Sequence, residues 1–220
     1  MAEIFIAGGG SSEESKDIDV LFRSSVLDRS AQPSCLYIPN AADTDDFSPM
    51  RKWFNETYPF FSEIITPEDF IKSDTIDSIS DTIDSIYIGG GYNRTLMNFF
   101  ASRGIDASFF LRFLSKDVTL YGGSAGAVVL GESLLTGREI MREPEKYKDL
   151  EKTGFNMCGG YSFCPHYDES NQSAIQALAQ KEQLNIVRLH DRAGLVFDNG
   201  NIINTVNVRQ EDIVMGRKNG

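Results

Sequence analysis

A chain of 220 residues, 41% hydrophobic and 24% charged, has the composition of an ordinary globular protein and the length for one large domain spanning 1–220 around a buried core. Its 32 acidic against 21 basic side chains leave a formal net charge of −11 with no basic stripe, which argues against phosphate-backbone binding and against a nucleic-acid partner. The start "MAEIFIAGGG" is neither basic nor apolar for long enough to cross a membrane, and Cys35, Cys158 and Cys164 show no C-x-x-C pairing, so the expectation is a cytoplasmic protein with no membrane anchor, disulfide framework or structural zinc.

In chain order, short apolar bursts end at Gly or Pro as buried strands do: EIFIA (3–7), CLYIP (35–39), SIYIG (85–89), VTLYG (118–122) and YSFCP (161–165). The first runs into AGGGSSEES, which could open a helix over a phosphate. Gly8-x-Gly10 lacks the third glycine of a dinucleotide fingerprint, however, and G-x-x-x-x-G-K-[ST] occurs nowhere, so no nucleotide cofactor is expected. Phe47, Met50, Phe54 and Tyr58 recur at helical steps, as do Leu96, Phe99 and Phe100 and then Phe110, Phe113 and Leu114. Each set is assigned to a core-facing helical stripe.

Strands alternating with helices predict an α/β fold in three layers, a mostly parallel sheet with helices on both faces. The last third, NIVRLH, GLVFD and NIINTVNV with the turn signal Asn199-Gly200, predicts antiparallel hairpins at the sheet edge. Ligands in such folds gather beyond the carboxyl ends of the parallel strands, so the residues just after each strand are the first candidates.

One such stretch, LYGGSAGAVVLG (120–131), carries G-x-S-x-G at Gly122, Ser124 and Gly126 between a strand and a short helix, the context of a nucleophile elbow. There the strained backbone needs glycine neighbours, and the Ala125 N–H would face developing negative charge. A serine nucleophile needs a base, and the chain offers only His166, after a strand in CPHYDES, and His190 in RLHDRAG; the strand-end position favours His166. Two separated histidines without H-E-x-x-H supply no recognisable metal site.

These segments resemble, in order and over nearly the whole chain, the peptidase E (aspartyl dipeptidase) family of serine hydrolases. That family is related to cyanophycinase and has a class I glutamine amidotransferase-like fold. YIGGGY matches its glycine-rich strand end, GGSAGA its elbow, CPHYDES its histidine segment and LHDRAGLVF its short acidic segment. The resemblance implies Ser124 as nucleophile, His166 as general base and Asp191 as the acid orienting the imidazole, with Glu139 or Asp168 as alternative acids. It also implies oxyanion donors at Gly90 and Ala125 and a small peptide or amide as substrate, with no cofactor and a monomeric or homodimeric protein.

The chain departs from the pattern where substrate would bind. The helix matching DESNQSAIQALA lacks the arginine that grips an amino-terminal aspartate and has Asn171 near that place, while Tyr92 stands where asparagine is usual and Gly123 where a bulkier aromatic is common. The resemblance therefore implies a remodelled pocket, with Tyr92, Asn171 and Arg94 as substrate-contact candidates and Arg138 or Arg192 as other possible carboxylate ligands. Two alternatives are a non-catalytic binding or regulatory protein on the same scaffold and an esterase. A glutamine amidotransferase is disfavoured because that chemistry uses cysteine at position 124.

Overall fold

The computed structural model describes residues 2–67, 83–137, 141–142 and 152–216. Its elements in chain order are β1 (Ile4–Ala7), α1 (Ser12–Leu27), β2 (Ser34–Ile38), α2 (Ser48–Thr57), β3 (Glu63–Ile65) and β4 (Ser85–Ile88). There follow α3 (Asn93–Ser102), α4 (Ala107–Leu114), β5 (Thr119–Gly123), α5 (Ala125–Leu130), β6 (Tyr161–Cys164), α6 (Gln172–Glu182), β7 (Asn185–Arg188), β8 (Gly194–Asp198), β9 (Asn201–Val206) and β10 (Ile213–Met215).

The large sheet has the order β3-β2-β4-β5-β1-β8-β9. Its first five strands run parallel, and β8 and β9 close the edge antiparallel. Both faces of the strands are buried because their side chains alternate between two cores. On one face Ile4, Ile6, Ile86, Ile88 and Leu120 pack with Leu96 and Phe100 of α3, Phe110 and Phe113 of α4 and Val128 of α5. On the other, Phe5, Tyr37, Tyr87 and Tyr121 pack with Ile18 and Phe22 of α1 and Phe54 of α2. The result is the expected mixed α/β architecture, a mostly parallel sheet between helical layers. Among the described residues no helix is long and apolar enough to cross a membrane.

Two expectations need correction. YSFCP was assigned to the main sheet and NIVRLH to an edge hairpin; instead β6 and β7 pair parallel in a separate three-stranded sheet, with β10 antiparallel on the outer side of β7. The physical reason is α6, which lies between β6 and β7 in the chain and makes them a βαβ unit; parallel neighbours need such a crossover and cannot be joined by a hairpin. Among the described residues only β8 and β9 form the edge hairpin, turning at Asn199 (φ 48°) and Gly200 (φ 75°).

Candidate active site

β5 is the middle strand of the large sheet, flanked by β4 and β1, and all three run parallel, so their carboxyl ends bring three glycine-containing loops to one place. Ser124 stands directly after β5 at φ 51° and ψ −110°, a conformation that costs a non-glycine residue roughly 1–3 kcal/mol. The neighbouring glycines explain how the bend fits. A Cβ on Gly122 would come within 2.8 Å of the Gly126 backbone, and one on Gly126 within 2.3 Å of the Ile88 carbonyl oxygen in β4. The turn is pinned by Ser124 N–H donating to the Ala7 carbonyl at 3.1 Å and by Val128 N–H donating to the Ser124 carbonyl at 3.2 Å.

His166 lies just beyond the end of β6 and Asp191 just beyond the end of β7, and these strands are adjacent. The second sheet thus presents both side chains to the serine. Ser124 Oγ is 2.8 Å from His166 Nε2, and His166 Nδ1 is 2.6 Å from Asp191 Oδ1, a continuous chain from hydroxyl through imidazole to carboxylate. The imidazole side chain is 29% exposed and the carboxylate 40%, so the chain opens to solvent and a substrate can reach it.

The loop Gly8–Gly10, passed over because it matches no phosphate motif, is the part that sequence reasoning missed. A Cβ on Gly9 would stand 2.4 Å from His166 Cε1, and one on Gly10 would stand 2.9 Å from Asp191 Cβ. Both glycines also have positive φ, 108° and 89°. Gly8 N–H donates to the Ala193 carbonyl at 2.9 Å, and the Gly8 carbonyl accepts from His166 N–H at 3.1 Å. The triple glycine is the bed on which the imidazole and carboxylate rest. Glu14, at the start of α1, accepts from the Ser11 N–H at 2.9 Å and hydroxyl at 2.8 Å, and these bonds hold its carboxyl below the usual range, with weaker help from the positive charge of Arg192. The S-x-x-E spacing from Ser11 to Glu14 was the readable signal for this helix start.

The other candidates fall as follows. Gly90 abuts the serine: a Cβ there would sit 3.1 Å from Ser124 Cβ. Ala125 is the first residue of α5, where an N–H has no acceptor within its own helix. Tyr92 caps α3 two residues beyond Gly90, half exposed, with Arg94 exposed on the first turn. Asn171 ends a short 3-10 turn before α6, its amide donating to Asp168 at 3.4 Å. Asp168 is occupied in capping that turn, accepting from Ser170 N–H at 2.8 Å, whereas the acid on the imidazole is Asp191. His190 is turned away into an edge-on ring contact with Tyr167 at 4.8 Å. Arg192 is exposed beside Asp191. Arg138 and Glu139 lie outside the described residues. All three cysteines are buried and free, and burial pushes the Cys35 and Cys164 thiols up to about 12, so they act as small apolar groups. Among the described residues no group of three or more His, Cys, Asp or Glu side chains is placed to hold a metal ion.

The family model and the relatives that this chain matches identify it as a serine-type peptidase of mixed α/β fold. The chain belongs to peptidase family S51, whose model matches residues 4–205. Over 217 residues it is 27% identical to a protein named uncharacterized peptidase YgaJ from Bacillus subtilis (strain 168), covering 94% of this chain and 87% of that protein. Its fold is similar to a structure named as a peptidase E protein from Listeria monocytogenes EGD-e, with a TM-score of 0.65 at 17% identity, covering 96% of this chain and 100% of the other. A peptidase from an acI-B1 Actinobacterium is similar with a TM-score of 0.61 at 16% identity, covering 98% and 91% of the two chains. The resemblance to peptidase E and the α/β expectation therefore both hold.

Proposed function

We propose that this peptidase hydrolyses small peptides or related amides through an acyl-enzyme formed on Ser124, with His166 as the base and Asp191 as the acid that orients it. The observation that carries the reading is the unbroken hydrogen-bonded chain of 2.8 and 2.6 Å across the three side chains. Ser124 Oγ attacks the amide carbonyl carbon while its proton passes to His166 Nε2, and the imidazolium returns that proton to the leaving amine as the C–N bond breaks. Water then attacks the ester, giving its proton to the same nitrogen, and the acid product leaves as Ser124 recovers its hydrogen. Asp191 keeps Nδ1 protonated and stabilises the transient positive charge without taking the proton. The N–H groups of Gly90 and Ala125 are the donors assigned to the oxyanion, each worth roughly 3–4 kcal/mol of barrier.

For substrate choice the reading assigns contacts to Tyr92, Arg94 and Asn171 and does not require an amino-terminal aspartate, since an amide at position 171 supplies no charge for a carboxylate. Free, buried thiols suit a cytoplasmic setting. The experiment is labelling by a fluorophosphonate probe, with Ser124→Ala as control, followed by a panel of dipeptides with acidic, neutral and basic first residues. The expected result is labelling of the parent only and turnover that does not depend on an acidic first residue. Undiminished labelling of Ser124→Ala would refute the nucleophile, and turnover confined to acidic first residues would refute the specificity.

A further inference from the structure

We infer that Tyr167, Arg188 and Asp212 are positioning residues that hold His166 and Asp191 in register, and that the C-terminal segment completes the active site by supplying Asp212. This rests on the proposed serine mechanism, and its starting point is a strained histidine. His166 has φ 51°, a left-handed conformation that costs a non-glycine residue roughly 1–3 kcal/mol and persists only where its surroundings hold it.

On its amino side the hold is the His166 N–H bond to the Gly8 carbonyl at 3.1 Å. On its carboxyl side it is Tyr167. Tyr167 N–H donates to the Leu189 carbonyl at 3.0 Å, and Leu189 N–H donates to the Cys164 carbonyl at 2.9 Å, which ties the strand ends bearing His166 and Asp191 together. The Tyr167 side chain is buried at 6% exposure, and its hydroxyl accepts from Arg188 Nη1 at 3.0 Å. The guanidinium carbon lies 4.9 Å from the centre of the same ring, and the ring also packs edge-on, at 4.8 Å, against His190, the residue before Asp191. One buried phenol, on the residue after His166, therefore touches the residue before Asp191.

A guanidinium at this depth needs a counter-charge, and the chain brings one from far along the sequence. Asp212, whose side chain is 1% exposed, has Oδ1 3.5 Å from Arg188 Nη2, an ion pair without the geometry of a directional hydrogen bond. Its other oxygen accepts from Arg209 N–H at 2.9 Å, and the Glu211 carbonyl accepts from Arg188 Nη2. Asp212 precedes β10, which pairs with β7, and it lies beyond residue 205, where the match to the family model ends. A buried ion pair contributes little net stability, because desolvation offsets the attraction; what this one supplies is a fixed direction for the arginine fork and, through it, for Tyr167.

The test is the kinetics of fluorophosphonate labelling of Ser124 in Tyr167→Phe, which loses only the hydroxyl, and in Arg188→Lys, which keeps the charge opposite Asp212 but not the fork. Labelling is measured below each variant's melting midpoint with circular dichroism confirming the native fold. The maximal labelling rate is expected to fall about fivefold or more in both, with the half-saturating probe concentration changed by less than about twofold, since misplaced reacting groups slow the chemical step rather than binding. A purely structural role would lower the melting midpoint and leave the rate of the folded protein unchanged. A parental rate in natively folded Tyr167→Phe overturns the inference. Absence of labelling in the folded parent overturns the serine mechanism instead, and this inference with it.

Discussion

Replacing Gly9 by alanine tests whether the glycine bed sets the position of the imidazole. The new Cβ would stand 2.4 Å from His166 Cε1 and 2.7 Å from Nε2, and ordinary contact begins at 3.4 Å, so the ring must retreat by about 1 Å. The loop itself has little freedom to yield, because Gly8 is bonded on both sides, to Ala193 and to His166 N–H. Nε2, the atom bonded to Ser124 at 2.8 Å, must itself move by about 0.7 Å to reach ordinary contact, which disrupts that bond. Misplacement by about 1 Å costs on the order of 100-fold in rate, or about 2.7 kcal/mol of barrier. Gly9 also has φ 108°, so some destabilisation is expected beside the clash. Gly104→Ala separates the two effects: its φ is 63°, and an added Cβ meets nothing within 4 Å. Labelling by a fluorophosphonate probe and dipeptide turnover, read beside thermal melts, should show both variants less stable but only Gly9→Ala slowed. Parental labelling by folded Gly9→Ala would refute the reasoning.

Gly126→Ala should destabilise although it lies in a helix, where the exchange ordinarily stabilises by up to about 1 kcal/mol. The added carbon would meet the Ile88 carbonyl at 2.3 Å, overpacking worth about 3 kcal/mol and a melting midpoint about 6 °C lower or more; an unchanged midpoint contradicts the packing argument. Asp19 accepts from the Tyr121 hydroxyl at 2.6 Å and the Ser15 hydroxyl at 2.7 Å, yet burial outweighs these bonds and raises its carboxyl above the ordinary aspartate value. The folded state then binds this proton more tightly than the unfolded state, so the contribution is full below the ordinary value and is lost as pH rises through the raised one. Asp19→Asn should remove that slope and gain stability relative to the parent as pH rises above the ordinary aspartate value in denaturant melts, and a constant difference would contradict the assignment.

Much of the large sheet could be read from the chain because its signals are local. Ile-Phe-Ile-Ala and Ser-Ile-Tyr-Ile fill both faces of a parallel strand with apolar side chains, and the glycine after each marks where the strand must stop. The bend at Ser124 was legible for the same reason, since the serine and its flanking glycines Gly122 and Gly126 fall within five residues, although Gly126 is crowded by Ile88 of β4. The helix α1 was harder to read. Its serines and acids leave only Ile18, Phe22 and Val26 buried, a narrow stripe that periodicity barely registers, and β3 offers only three residues.

The second sheet and the glycine bed were illegible because they are facts about pairs of distant residues. Nothing in YSFCP says that its neighbour is NIVR rather than a strand of the main sheet, and the three glycines after β1 match no phosphate motif and have no readable purpose until the imidazole that rests on them is in view. The same separation has a mechanical consequence. Ser124 follows a strand of the large sheet, whereas His166 follows β6 of the small one and Asp191 stands in the connection from β7 to β8, and the described backbone bonds joining these loops at the site run through Gly8 to His166 and Ala193. Local openings of a fold are cheaper than its global unfolding. A local displacement of these loops would part the hydroxyl from the imidazole while the core that the two sheets share, in which Phe163 packs on Phe197, stays intact, so under the proposed mechanism loss of activity need not track loss of fold, and kinetics must be read beside melts at every variant.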